Sequence, residues 1–309
     1  MSTLVVGRGL LGRAVLAVLG SRGDDVQTVD VPWGAHRASL DALQRAVDRA
    51  AATGPWRLVW TAGSGVIATG EADLRAEAAI FEGFLGRLSV PPDAMFLASS
   101  AGGTYAGSAD APPFTEQSSV GPASPYGRTK LAMEAAATGL ARDGTRVLIG
   151  RIANLYGPGQ NLAKPQGLVS QLCLSHMTRQ PVTIYAAMDS LRDYVFVSDA
   201  AWTAVSGLDR ISSAAPGAVV VKIVASGVSR SVGSVIGEST RAFRRRPNLV
   251  IRRAADQVMD LRLRSVTWPD LDRQVDHLPF GVGLRRTSDD IGRQMRAGTL
   301  RHPTVRRRA

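Results

Sequence analysis

Cysteine is nearly absent. Cys173 is the only one in 309 residues, which excludes an intrachain disulfide and a thiolate metal cluster and fits a reducing compartment. Histidine is almost as scarce: His36, His176, His277 and His302 lie too far apart to suggest a local ligand pair, so no metal is assigned. No run approaches the roughly 20 uninterrupted apolar residues of a membrane span. The apolar start imitates a secretory signal, but Arg8 and Arg13 interrupt it. The expectation is a soluble, cytoplasmic protein without a membrane partner. Internal repeats and low-complexity linkers are also missing, and the 32 glycines follow no period, so collagen and disorder are excluded.

Acidic residues are outnumbered, 26 against 37 basic ones, for a formal charge of +11. A nucleic-acid binder gathers its basic residues into a patch or interleaves them with stacking aromatics. Here they are spread out, with short runs at Arg244 to Arg246, Arg252 and Arg253, Arg285 and Arg286, and Arg306 to Arg308. A solvated basic face with a basic tail is expected, and no nucleic-acid partner. The positive potential would also attract a phosphorylated substrate.

The first half alternates short apolar runs with longer helical patterns, the signature of an α/β fold with a parallel sheet. Strands are expected at Thr3 to Val6, Val26 to Val29, Leu58 to Thr61, Met95 to Ala98 and Arg146 to Gly150, with helices at Leu11 to Gly20, Ser39 to Ala52, Glu71 to Leu88 and Tyr126 to Arg142. From about Gln160 the pattern is less regular, with a helix near 167–178, a strand near 219–224 and a helix near 232–243.

The stretch Leu4-Val5-Val6-Gly7-Arg8-Gly9-Leu10-Leu11-Gly12 places GxGxxG after a strand and at a helix start. Gly7 permits the tight turn, Gly9 lets backbone approach a pyrophosphate, and Gly12 lets the helix pack on the strand, while the helix N-terminus offers free N–H groups. Asp30 follows eighteen positions beyond Gly12 at the end of the second strand, where an acid bonds both ribose hydroxyls and repels the 2′-phosphate of NADP. NAD is therefore the expected cofactor. NADP stays open because Arg37 lies just beyond.

In Ser124-Pro125-Tyr126-Gly127-Arg128-Thr129-Lys130, Ser124 can cap a helix whose first turn accepts Pro125. Tyr126 and Lys130 then share a face, and the ammonium, with an oxidised nicotinamide, favours phenolate over phenol. They are the candidate acid/base pair.

With Phe96-Leu97-Ala98-Ser99-Ser100-Ala101-Gly102-Gly103-Thr104, Phe114-Thr115-Glu116, Arg151-Ile152-Ala153-Asn154-Leu155-Tyr156-Gly157-Pro158 and Leu191-Arg192-Asp193-Tyr194-Val195-Phe196-Val197-Ser198-Asp199, the chain resembles the extended short-chain dehydrogenases, specifically the NAD-dependent epimerase/dehydratase family. The resemblance implies a Rossmann-type doubly wound parallel sheet with a smaller C-terminal substrate lobe. Residues 1–163 would form the dinucleotide-binding domain and 164–309 mainly the lobe, with segments around 192–225 returning to the first domain. It also implies that Gly7, Gly9, Leu10, Leu11, Gly12, Asp30, Ala62, Tyr126 and Lys130 bind the cofactor, and that Asn154 and Arg192 contact the diphosphate of a nucleotide sugar. Otherwise Arg192 would form a surface ion pair with Asp193, and Asp199 is read as a helix cap. A homodimer would form through the helices at 71–88 and 126–142, where Ala135, Ala136 and Ala137 permit close approach.

Three departures from the family matter. The family usually has a Ser or Thr where Gly102 stands, so Ser100 and Thr104 become the candidate third catalytic hydroxyl. The Asp-Glu pair that 4,6-dehydratases use to eliminate water is missing from this loop, which disfavours dehydration. Between Asp30 and Trp56 there is room for a helix but no third strand ending in an acid to bond adenine. The resemblance thus points to a nucleotide-sugar epimerase, with an NAD(P)H-dependent ketoreductase as the alternative and a dinucleotide-binding scaffold as the reading from another class.

Overall fold

The computed structural model describes residues 1–63, 65, 69–163, 167–252 and 258–300. In chain order the first half runs β1 (Ser2–Val6), α1 (Leu10–Ser21), β2 (Val26–Thr28), α2 (His36–Ala51), β3 (Trp56–Trp60), α3 (Glu71–Leu85), β4 (Ala94–Ser100), α4 (Ala101–Tyr105), α5 (Pro125–Gly139) and β5 (Arg146–Ile152). The second half runs β6 (Asn154–Tyr156), α6 (Leu168–Thr178), β7 (Val182–Ile184), β8 (Leu191–Phe196), α7 (Val197–Ser212), β9 (Val219–Val224), β10 (Ser229–Ser231), α8 (Val232–Phe243), β11 (Leu249–Ile251), β12 (Asp260–Leu261), α9 (Pro269–Gln274) and α10 (Phe280–Arg296).

Six strands form one sheet in the order β2-β1-β3-β4-β5-β9, every pair parallel. Such a sheet needs cover on both faces. On one face Leu43 and Val47 of α2, Phe81 and Phe84 of α3 and Met133 of α5 pack with Trp56, Leu58 and Trp60 of β3. On the other, Leu11, Val15 and Leu19 of α1 meet Ala200, Ala204 and Leu208 of α7 over Val5, Val59 and Phe96. This is the Rossmann-type doubly wound sheet. The strand order reverses beside β1, and ligands of such sheets bind in the crevice at the carboxyl ends where that happens.

The second half contributes α7 and β9 to the main sheet, lays α9 against them, and folds much of the rest into a lobe. There β8 pairs with β6, β10 and β12, and a core of Leu172, Tyr194, Val235, Phe280 and Leu284 joins α6, α8 and α10.

Several boundaries differ from the sequence expectation. Helix α3 stops at Leu85 because Gly86 takes the C-cap, its N–H bonding the Glu82 carbonyl. Helix α5 gives way at Leu140 to a 3-10 turn closed by Gly144 in the left-handed region, φ 84°. The short strands β6, β8, β10 and β12 lie outside that expectation, since each exists only through pairing with a distant partner.

Candidate dinucleotide and active site

Gly7 sits at φ +97°, and a Cβ there would lie 2.4 Å from the Ala62 nitrogen, so β1 can meet the β3 loop only through glycine. A Cβ on Gly12 would lie 1.8 Å from the Gly7 carbonyl oxygen. Gly9 differs: nothing lies within 4 Å of the Cβ it lacks. It caps α1, whose first turn carries no acid and receives no side-chain cap, leaving N–H groups directed at the crevice. Leu11 is buried in the core, so only its backbone is available. Leu10, next to Gly9, is half-buried.

Gly7 and Gly9 open onto a cleft of about 1330 Å³ lined also by Asp30, Trp33, Arg45, Ala62, Gly63 and Glu77, whereas Gly12 faces the Gly7 carbonyl. Asp30 is 83% exposed and forms a close ion pair with Arg8 of the glycine loop. Arg37, the nearby base noted in the sequence, is exposed and is not among the lining residues.

Ser124 caps α5, accepting from the Gly127 N–H at 3.2 Å, and Pro125 occupies the first turn. Lys130 is 6% exposed, and its Nζ lies 5.7 Å from the Tyr126 ring centroid. Sequence reasoning missed its other neighbour: Glu77 of α3 places Oε1 at 3.6 Å from Lys130 Nζ, while its Oε2 accepts from the Gly65 N–H at 3.1 Å. A Cβ on Gly63 would come within 3.2 Å of Lys130 Nζ, so the loop after β3 wraps closely over this pair.

The two candidate hydroxyls part company. Thr104 is fully buried and donates to the Ser100 and Ala101 carbonyls, 2.9 and 3.3 Å, so it faces away from any substrate. Ser100 ends β4, caps α4 by accepting from Gly103 N–H at 3.1 Å, and lies beside Tyr126: a Cβ on Gly103 would be 3.3 Å from Ser100 Oγ and 3.2 Å from Tyr126 Cε1. A Cβ on Gly102 would approach only Leu261, at 4.0 Å. Position 102 therefore does not face Tyr126 in this turn.

Behind Tyr126, a second face of α5 is anchored by charge. Glu134 accepts from Arg151 of β5 at 2.7 Å and from Ser99 Oγ at 2.5 Å, and Arg151 also donates to Tyr105 Oη at 2.7 Å. Both ionic side chains are under 10% exposed. Burial pushes the Tyr105 phenol up, so it stays protonated.

Asn154 and Arg192 line a second pocket of about 260 Å³ with Gly167, Gln171, Tyr185 and Tyr194. They come together because β6 and β8 are parallel neighbours, with Asn154 opposite Tyr194. Arg192 does not pair with Asp193: it donates to the Leu191 and Val258 carbonyls at 2.7 Å, and burial lowers its pKa. Asp193 instead accepts from the Ser226 N–H at 2.8 Å and Oγ at 3.0 Å. Asp199 is not the helix cap, which is Phe196; it lies in the first turn of α7 and accepts from the Leu278 N–H at 2.9 Å.

A turn that needs glycine at positions 7 and 12, an uncapped helix N-terminus and an acid just after β2 fit a dinucleotide, and the sheet with its lobe fits an NAD(P)-binding enzyme. The profile of the NAD dependent epimerase/dehydratase family matches residues 3–221, and the chain belongs to that family. It is therefore an NAD-dependent enzyme of the extended short-chain dehydrogenase type. Among curated proteins, dTDP-4-dehydro-6-deoxyglucose reductase of Escherichia coli is 32% identical over 102 residues, 32% of each chain. An uncharacterized UDP-glucose epimerase of Bacillus subtilis (strain 168) is 33% identical over 86 residues, 28% of this chain and 26% of that one. These matches thus span about a third or less of the relatives' lengths. Over nearly the whole chain the fold is similar to UDP-glucose 4-epimerase from Thermotoga maritima, solved with UDP-glucose: TM-score 0.80, 20% identity, 96% of this chain and 100% of that one. The enzyme of the same name from Thermus thermophilus, solved with NAD, gives TM-score 0.77 and 22% identity over 94% and 99%.

Proposed function

We propose that this enzyme is a nucleotide-sugar epimerase in which Tyr126 is the acid/base. The observation that carries the reading is the convergence of Tyr126, Lys130 and Ser100 on one spot, bordered by Gly63 of the dinucleotide cleft. When bound, NAD supplies a reversible hydride acceptor. The chain's own groups do the rest. The Tyr126 phenolic oxygen takes the proton from a sugar hydroxyl and later returns it, helped by the positive charge of Lys130. Ser100 Oγ holds the reacting oxygen against Tyr126. Thr104, committed to backbone carbonyls, serves only to hold the turn. Asn154 and Arg192 grip the diphosphate from the second pocket; the guanidinium's planar donors suit phosphate oxygens, and some remain beyond those given to carbonyls. The subunit pairs with a second copy through the exposed alanines of α3 (Ala72, Ala79) and α5 (Ala132, Ala135).

A second reading, an NAD(P)H-dependent reductase of a keto-sugar nucleotide, is favoured by the similarity to the Escherichia coli reductase. One experiment separates them. The purified protein is incubated with UDP- and dTDP-hexoses without added cofactor and the products are resolved by chromatography. Interconversion of isomers supports the epimerase; turnover only of 4-keto sugars, with stoichiometric consumption of NAD(P)H, overturns it in favour of the reductase.

A further inference from the structure

The dinucleotide cleft runs past the sheet's edge. Strand β2 pairs with β1 alone, and the chain from Val29 to Pro55 forms helix α2 but, among the described residues, no strand beside β2. Read outward, the cleft changes chemistry in the order that a dinucleotide presents it: the glycine turn and helix N-terminus suit the diphosphate, Asp30 suits a ribose, and beyond Asp30 the lining is Val31, Pro32, Trp33 and Ala38 with the charged Asp41 and Arg45 of α2.

Trp33 stands out in that wall. It is 42% exposed, yet it is held firmly from behind. Its ring meets Trp60 edge to face, 6.1 Å between centroids at 86°. Trp60 is 1% exposed and in turn stacks on Phe84 at 5.4 Å and contacts Phe81 at 4.8 Å. The turn carrying Trp33 is tied down by hydrogen bonds: Trp33 N–H to the Val31 carbonyl at 3.0 Å, Ala35 N–H to the Pro32 carbonyl at 2.9 Å, and Ser39 Oγ to the same Pro32 carbonyl at 2.8 Å. An indole fixed in place loses little freedom when a flat ring settles on it, so the contact energy is kept as affinity.

We propose that Trp33 is the platform on which the adenine of NAD stacks, taking the place of a wall that a further strand would have supplied. The proposal rests on this cleft being the NAD site and adds the residue that recognises the purine end. A flat heteroaromatic ring is the ligand chemistry the exposed indole suits, and Asp41 and Arg45, which line the same cleft, add polar groups that a purine's ring nitrogens and amine can meet.

The test is calorimetric titration of NAD and of ADP-ribose, which lacks the nicotinamide, into wild type, Trp33→Ala, Trp33→Leu and Trp33→Phe. Trp33→Leu keeps apolar cover over Trp60 and serves if the alanine variant folds poorly. The expected result is a Kd about tenfold weaker for both ligands in the Ala and Leu variants, equivalent to about 1.4 kcal/mol, with Trp33→Phe within about threefold of wild type. Unchanged affinity in a folded Trp33→Leu protein overturns the proposal, as does a loss in Trp33→Phe as large as in Trp33→Leu. Failure of the wild type to bind either ligand overturns instead the assignment of the cleft to NAD, and the platform with it.

Discussion

Lys130 Nζ lies 3.6 Å from Glu77 Oε1, with the two side chains only 8% and 10% exposed. The contact joins α5 to α3 beneath the active site, and it sets a carboxylate against the ammonium that is to assist Tyr126. An exposed pair would contribute about 0–1 kcal/mol, and a fully hydrogen-bonded buried pair loses roughly 3–5 when one partner is removed. Glu77→Gln should fall between, costing about 2 kcal/mol in urea denaturation. A double-mutant cycle with Lys130→Met should show coupling of at least about 0.5 kcal/mol. Additive losses would mean the two charges do not stabilise each other.

Tyr126→Phe removes the phenolic oxygen and keeps the ring. As the acid/base, it should lower kcat/KM by roughly 100- to 10,000-fold while NAD binding changes by less than about twofold. Activity near the wild-type level would transfer the proton to another group, with Ser100, across Gly103 from Tyr126, the first candidate.

Two glycines of one motif should fail in different ways. Gly12→Ala drives a methyl to within 1.8 Å of the Gly7 carbonyl oxygen, so it should destabilise the fold by about 3 kcal/mol or more. Gly9→Ala meets nothing within 4 Å, so its melting temperature should barely move while its NAD affinity drops as the methyl enters the cleft. Thermal unfolding and calorimetry on the same samples separate the two losses.

His277 should make stability depend on pH. Its Nδ1 lies 3.6 Å from Asp199 Oδ2, and the attraction of that carboxylate raises its pKa against the lowering effect of burial; Asp193 and Asp272 add smaller attractions. A base with a raised native pKa contributes stability that is fully present below the unfolded value, about 6.5, and is lost as pH rises through the native value. The difference in melting temperature between wild type and His277→Gln should therefore be largest in mildly acidic buffer and shrink in alkaline buffer. A difference that grows with pH would show His277 to be packed as the neutral ring.

Much of this was readable in the sequence because some positions admit one residue type. Gly7 needs a positive φ and a bare Cα against Ala62, and Tyr126 and Lys130 sit one turn apart on a helix that Ser124 and Pro125 announce. The parallel sheet and the dinucleotide turn follow from such local rules, and the family from the resemblance of several longer motifs. The rest depended on which distant strand or helix face lies opposite. Glu77 looks like any helical acid until α3 packs on α5. Arg192 looks free until the segment at 258–259 lays its carbonyls over it. The spacing after β4 leaves Ser100 and Thr104 both open as the hydroxyl in place of position 102, and only the folded turn separates them, setting Ser100 and Gly103 beside Tyr126.

The outer edge of β9 is covered by a strap from the end of the chain. Glu116 accepts from the Ile223 N–H at 2.8 Å and binds Ser265 Oγ and the Val266 N–H at 2.7 and 2.8 Å. Lys222, 1% exposed, reaches Asp272 and the Thr267 carbonyl at 2.8 Å. An edge strand with free backbone groups invites pairing with another molecule's sheet. Here a carboxylate occupies one of those groups and a buried ammonium holds the cover in place. Glu116 and the segment at 265–272 thereby leave that stretch of the edge with less backbone to offer another strand.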